Sequence, residues 1–492
     1  MNHDFHDSGS FYRIFPSRWQ FYWSKLKQPH PLPLNRPDFA TLARWPEKSL
    51  PFLVRNSVLA CKYLSLLGAI DWASFPDRAG QRVWSGPQPS SPVPYLIALL
   101  IKLDQGHRSL AQLTEFLTAH PELVWVAGFP LVPDPHSIWG FDVAASVPSA
   151  TQFSRMLRRL PNTRLQFLLD ETVWAIQRAL PAKVLLGQVV SIDTKHILAW
   201  TKENNPKAYI KEGRFDKNRQ PKGDPDCRLG CKRRRNQRRK GHDADATPAA
   251  EGQPASTMGV GIAELYWGYA SGVVATKVAG IGEFILAELT QTFDKSDPSY
   301  FFPLMAQVER RLGRCPQYGT ADAAYDTFYV HEYFHQAGGF AAVPLTQRGS
   351  VRHFDENGNP LCEAGLSMHL KGSFTNRTSL IVHLRQRWWC PLLHPQQTAD
   401  SCPIEHPKWD NGGCKSTIAA SVGARLRYQL DRDGDLYKEV YKQRTAVERI
   451  FSAALDLGIE RPKLRSQAAI ANQNTIIYVL LNLRRLQNIS DK

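Results

Sequence analysis

Along the first 180 residues the apolar positions recur at intervals of three and four. Asn56 to Leu67, Pro94 to Leu103 and Ser109 to Ala119 therefore predict amphipathic helices. Ser149 or Thr151 opens a further pair, Gln152 to Leu160 and Asn162 to Leu180, broken at Pro161 and closed before Pro181. The pattern then changes. Gly187-Gln188-Val189-Val190-Ser191-Ile192-Asp193-Thr194 is a β-branched run ending on a carboxylate, as expected of a buried central strand with Asp193 at its C-terminal edge. Further along, Glu264 to Trp267 and Gly272 to Val278 predict a hairpin, and Gly282 to Thr292 and Phe302 to Leu312 predict helices. Gln317 to Ala321 repeats the strand-then-acid pattern and ends on Asp322, followed by a helix over Tyr329 to Gln336 and a strand over Phe340 to Pro344. A strong helix from Leu436 to Leu457 presents Val447, Ile450, Phe451 and Leu455 as its core face, and a last helix, Ala468 to Leu486, caps that domain.

This order predicts an α/β fold, a mixed sheet flanked by helices, preceded by a helical domain and interrupted by a long, partly β insertion. The expected divisions are an aromatic and Pro-rich arm over 1–50, a helical domain over 51–183, the first part of the sheet domain over 184–348, the insertion over 349–435 and C-terminal helices over 436–492. The arm carries Phe11, Tyr12, Phe15, Trp19, Phe21, Tyr22 and Trp23. Its first use is to wrap the protein's own core, with base stacking as the second.

At 492 residues and 43% hydrophobic, the chain has enough apolar surface for one large core or two ordinary ones. The absence of an apolar run of about 18 residues and of an N-terminal apolar segment before a small-residue cleavage site predicts a protein without membrane spans, in the cytoplasm. Eight cysteines, unevenly placed, fit a reducing compartment.

Charge adds a partner to this picture. Of a net charge of +16, much lies between Lys202 and Lys240, where fifteen Lys and Arg face five Asp and Glu. The densest part carries Lys232, Arg233, Arg234, Arg235, Arg238, Arg239 and Lys240. Such a run binds phosphates regardless of base sequence. With the Ala-, Asp-, Pro- and Gly-rich residues that follow, 202–256 reads as a basic insert disordered when free.

The candidate chemistry is acidic. Asp193 and Asp322 end two strands, and Glu448 sits on a helix with Tyr441 and Arg444 three and four residues apart, so that phenol, guanidinium and carboxylate share one face. Each has a plainer use: the aspartates as caps, Arg444 and Glu448 as a surface ion pair. In the insertion, Cys362, Cys390, Cys402 and Cys414 are interspersed with His394 and His406. They can form a tetrahedral Zn²⁺ site, but lack tight Cys-x-x-Cys pairs, and buried free cysteine is the alternative.

Tyr441, Arg444 and Glu448 match the Tyr-x-x-Arg-x-x-x-Glu signature of bacterial insertion-sequence DDE transposases, which this chain resembles. Lys442 through Arg449, Ala321-Asp322-Ala323-Ala324-Tyr325-Asp326, Ala342-Val343-Pro344-Leu345 and Pro148-Ser149 through Arg158-Arg159 look like that family too, over roughly residues 90 to 485. The resemblance implies a ribonuclease-H-like core in which Asp193, Asp322 and Glu448 hold two Mg²⁺ ions, replaceable by Mn²⁺. It further implies cleavage and joining of DNA ends, with Arg444 and Tyr441 contacting the cleaved end. Partners would be double-stranded DNA, as transposon ends and as target, and a second copy of the chain on paired ends, in the nucleoid. The family often carries a Lys seven residues beyond the Glu; here that position is Leu455, with Lys463 a candidate substitute. A host nuclease with the same site, or a non-catalytic DNA-binding protein, are the rival readings.

Overall fold

Val189–Leu198 form the strand on which the second of two units is built, here β1. The computed structural model describes residues 32–76, 91–208, 213–233, 263–346 and 352–490. They divide into one unit of residues 1–181 with 453–492 and another of residues 182–452.

In the second unit the sheet continues with β2 (Arg228–Arg233), β3 (Ala263–Val278), β4 (Gly282–Thr292), β5 (Tyr318–Thr320) and β6 (Phe340–Ala342). β3 runs antiparallel to both β1 and β4, and its first part also pairs with β2. On the other side of β1, β5 and then β6 are parallel. The sheet is thus mixed, with an antiparallel half and a parallel half meeting at β1. The helix Phe301–Leu312 links β4 to β5, and Phe328–Gln336 links β5 to β6. Each lays an apolar face on its neighbours: Leu304, Met305 and Val308 from the first, Val330 and Phe334 from the second, are buried.

Several elements differ from the sequence expectation. β1 runs past Asp193 to Leu198, because the antiparallel ladder to β3 continues through Leu198 while the parallel ladder to β5 stops at Ser191. Asp193 therefore lies inside a strand, not at its end. The two short strands expected over 264–278 are one strand, and the true hairpin partner is the segment expected to be a helix, Gly282 to Thr292. Glu283, Leu286, Ala287 and Glu288 favour a helix locally. Phe284, Ile285, Leu286 and Ala287 are all buried, however, and a strand covered on both faces accommodates four consecutive buried residues. The signal for the turn was in Gly280, whose φ of 73° serves the three-residue loop between Val278 and Gly282.

The basic insert is also more ordered than its composition suggests. Asn204 accepts from the Trp267 backbone N–H and donates to the carbonyls of Ala199 and Trp267. Trp267 Nε1 donates to the Arg214 carbonyl, and buried Asp224 accepts from Tyr269 Oη at 2.8 Å. A few buried polar anchors thus fasten 202–208 and 213–233 to β3 where apolar residues are sparse. The rest of the insert lies outside the described residues.

The insertion contains β7 (His369–Asn376), β8 (His383–Trp389) and β9 (Lys415–Ala419), antiparallel in the order β9-β8-β7 over a small core of Met368, Trp388, Ile418, Ala419 and Ala424. Its helix Gly423–Gln429 is tied to the sheet domain through Asp326. That buried carboxylate takes both Arg427 Nε at 3.1 Å and Arg427 Nη2, together with His331 Nε2 at 3.1 Å and the Thr346 N–H at 2.7 Å.

The first unit is helical. Val58–Leu67, Val93–Asp104, Leu110–Ala119, Ala150–Arg159 and Asn162–Ala179 fall close to their expected places, and capping boxes Ser109/Gln112 and Ser149/Gln152 open two of them. The final helix, Gln467–Ser490, falls in this unit and not, as expected, in the unit of the sheet. It buries Ile470 and the run Ile476 to Leu481, and Asn472 Nδ2 donates to the carbonyls of Leu157 and Leu160 that the end of an earlier helix leaves open. Of the N-terminal arm, residues 1–31 lie outside the described residues. From Leu32 onward it packs on its own unit, with Phe39 and Leu42 buried and the Pro33 carbonyl accepting from Trp125 Nε1 at 2.8 Å. Among the described residues, no helix is long and apolar enough to cross a membrane.

Candidate active site

The parallel pairing of β1 with β5 decides where the two aspartates stand. Ser191 is in register with Thr320, the last pair of that ladder, and Asp193 and Asp322 each follow it by two residues, near enough for Asp322 to act on the Asp193 carboxyl. Side chains two apart share a face, which puts Ser191 and Asp193 on one side of β1 and Thr194 on the other. Asp322 leaves β5 as the cap of the short turn Ala323–Tyr325, one oxygen accepting from the Ala324 N–H at 2.9 Å. Asp193 Oδ1 accepts from the Thr194 N–H at 2.8 Å. The plainer use as a cap is therefore real for Asp322, and leaves its second oxygen for other work.

The helix expected from Leu436 to Leu457 is two helices, Asp435–Lys442 and Thr445–Asp456, separated by a turn at Gln443 and Arg444. Tyr441 lies in the first of these helices. Its ring stacks on Tyr437 at 5.8 Å, beside a cluster of Ala342, Tyr437 and Val440. Arg444 sits at the break. Its carbonyl accepts from Ser191 Oγ at 3.1 Å, its Nη1 donates to Glu448 Oε1 at 2.7 Å, and its Nη2 lies 3.8 Å from Asp193 Oδ2. The ion pair with Glu448 is present, but shared with Asp193, and Arg444 Nε is buried without a hydrogen-bond partner. Glu448 stands in the first turn of its helix, where the dipole favours an anion. Val447, Ile450 and Phe451 of that helix are buried as expected, whereas Leu455 is exposed, and Arg449 pairs with buried Glu283 at 2.6 Å.

A fourth acid joins them. Asp297, in the turn before the helix Phe301–Leu312, accepts from Thr194 Oγ1 at 2.7 Å. In the sequence Ser296-Asp297-Pro298 reads as an ordinary helix start, and nothing in its spacing marks it. Burial pushes the Asp193 carboxyl up to about 7; Asp322 and Asp297 add to the rise, while the Thr194 N–H and Arg444 oppose it. Burial likewise raises Asp297, with Asp322 contributing. Tyr325, fully buried, has no hydrogen-bond partner for its hydroxyl; burial and the nearby Asp297, Asp193 and Asp322 push that phenol well above its usual range.

No family model matches the chain, and no curated protein matches it.

Among the described residues, no three His, Cys, Asp or Glu side chains stand as a finished metal cage. As oxygen donors, Asp193, Asp322 and Asp297 are nonetheless of the kind that suits hard divalent ions. Lys232 and Arg233 lie on β2, opposite Glu264 and Ala263 of β3. Arg234, Arg235, Arg238, Arg239 and Lys240 lie outside the described residues.

Proposed function

We propose that this protein is a DDE-type DNA transposase that binds the ends of its own insertion sequence, cuts there and joins 3′ ends to target DNA. The observation that carries the reading is the nearness of Asp322 to Asp193, each two residues past the last β1–β5 register pair, with Arg444 lodged between Asp193 and Glu448. The sheet order β4-β3-β1-β5-β6, antiparallel on one side of β1 and parallel on the other, supports a ribonuclease-H-like core.

Asp193, Asp322 and Glu448 would hold two Mg²⁺ ions, which, when bound, activate the attacking oxygen and stabilise the leaving one. The chain's own groups do the rest. Arg444 offers a planar fork to a phosphate, and taking that phosphate releases the two carboxylates it now neutralises. Ser191 holds the Arg444 backbone against β1, and Asp297 fixes Thr194 beneath Asp193. The basic run from Lys232 to Lys240 supplies phosphate affinity without sequence choice.

The test is a cleavage and strand-transfer assay on labelled duplexes carrying the inverted repeats that flank this reading frame. Asp322→Ala is expected to abolish cutting while end-binding stays within a few-fold. Arg444→Lys keeps the charge but loses the fork, and should slow cutting by roughly 100-fold, the cost of misplacing a reacting group by about 1 Å. Cutting without joining would favour the nuclease reading, and unchanged cutting by Asp322→Ala would remove the site assignment.

A further inference from the structure

The insertion brings together four cysteines that the acidic site does not use. Cys362, Cys390, Cys402 and Cys414 all line one cavity of about 10 Å³, room for a single atom-sized occupant. Burial raises the Cys414 thiol above its ordinary value, and the neighbouring Cys390 and Cys362 add to the rise.

Three of the four begin a tight turn. The Cys362 carbonyl accepts from the Gly365 N–H at 2.9 Å, that of Cys390 from Leu393 at 3.3 Å and His394 at 3.1 Å, and that of Cys402 from Glu405 at 3.0 Å. Cys414 arrives differently, behind Gly412 and Gly413 at φ of 83° and 71°. A Cβ on Gly413 would lie 2.6 Å from Cys390 Cβ and 3.0 Å from its Sγ, so only glycine lets the two strands' cysteines approach. Four separate turns bring these cysteines to the lining of one cavity, so their spacing along the chain shows no Cys-x-x-Cys pair.

We infer that Cys362, Cys390, Cys402 and Cys414 form a structural zinc site that fastens the insertion together. A Zn–S bond of about 2.3 Å places tetrahedral sulfurs roughly 3.8 Å apart, the scale of thiol–thiol contact. As the side chains stand, no group of three or more His, Cys, Asp or Glu among the described residues is placed to hold a metal ion. A cysteine has one side-chain torsion, so closure is a choice of rotamer. The need is plain as well: the core of Met368, Trp388, Ile418, Ala419 and Ala424 is small, with Cys362 and Cys414 packed at its margin. Small cores of this kind gain their stability from a metal or a crosslink. The inference stands apart from the transposase reading.

Metal content of the full-length protein, purified without chelator, should be one zinc per chain and should fall to near zero in Cys390→Ser and Cys414→Ser. In case those variants fail to fold, reduced wild-type protein stripped of metal is titrated with Co²⁺. Intense thiolate-to-cobalt charge-transfer absorption with tetrahedral visible bands is expected. Absence of both zinc and these bands overturns the inference, as does finding the four cysteines in disulfides. His406 lines the same cavity. Retention of zinc by His406→Ala supports the four-thiolate set, and its loss there but not in Cys402→Ser overturns it.

Discussion

Asp193 illustrates how a site's chemistry is written in a single carboxyl. Its ordinary value in an unfolded chain is 3.8 and burial among acids lifts it to about 7. Between these values the folded protein holds a proton that the unfolded chain has released. Its contribution to stability is fully present below about pH 4 and is lost as pH rises through about 7. Without divalent ions, melting temperature should fall between pH 6 and pH 8. Asp193→Asn, neutral throughout, should flatten that fall and raise the pH 8 melting temperature by at least about 2–4 °C, the effect of roughly 1 kcal/mol in a unit of this size. An equal pH dependence in both proteins would show that Asp193 is not the group holding the proton. The acids at 193 and 322 were legible because each closes an apolar run. Asp297 was not, because Asp before Pro at a helix start is common and only folding brings it to Thr194. The break in the Leu436 to Leu457 helix was not legible either, since three-and-four spacing runs on through Gln443 and Arg444, where the helix turns.

Among the elements, the junction between the Gly423–Gln429 helix and the sheet domain rests on Asp326. Burial works against its charge, but His331, Arg427 and the Thr346 N–H together hold the carboxyl below its usual range. Removing one partner of such a buried pair leaves the other uncompensated, so Asp326→Ala should destabilise by about 3–5 kcal/mol in chemical denaturation. A loss under about 1 kcal/mol would mean that the pair only breaks even against solvent. Asp326 lies four residues beyond Asp322, so on the proposed reading this loss should also disturb end cleavage. The strand β4 shows the limit of local reading at this scale. Glutamate, leucine and alanine gave a helical signal over 282–292, and burial on both faces, a property of the surroundings, overrode it.

At the scale of the whole molecule, the charge of +16 is a statement about partners. Neutralising Lys232 to Lys240 should weaken binding to any duplex and flatten the dependence of log affinity on log salt by roughly 0.9 for each phosphate left without its cation. Preference for the end sequence should persist. A salt slope identical to wild type would mean that other cations hold the phosphates. The helical first part and the mixed sheet were both legible from periodicity. The assignment of the final helix to the first unit was not, since an apolar helix shows that it must be covered without saying by what.

The hydrogen bond from Ser191 to the Arg444 carbonyl joins residues 253 positions apart, and the pairing of β1 with β5 closes a loop of comparable scale. Contacts so distant along the chain are formed late, because the entropy of closing long loops is lost before any contact is gained. A ribosome making this protein in order will have released the helical first part and the β3–β4 hairpin before Arg444 and Glu448 exist. A chain cut short between Asp322 and Arg444 therefore carries the basic run and both aspartates but lacks Arg444 and Glu448. On the proposed reading, order of synthesis alone leaves every chain that ends before Glu448 without the full acidic site.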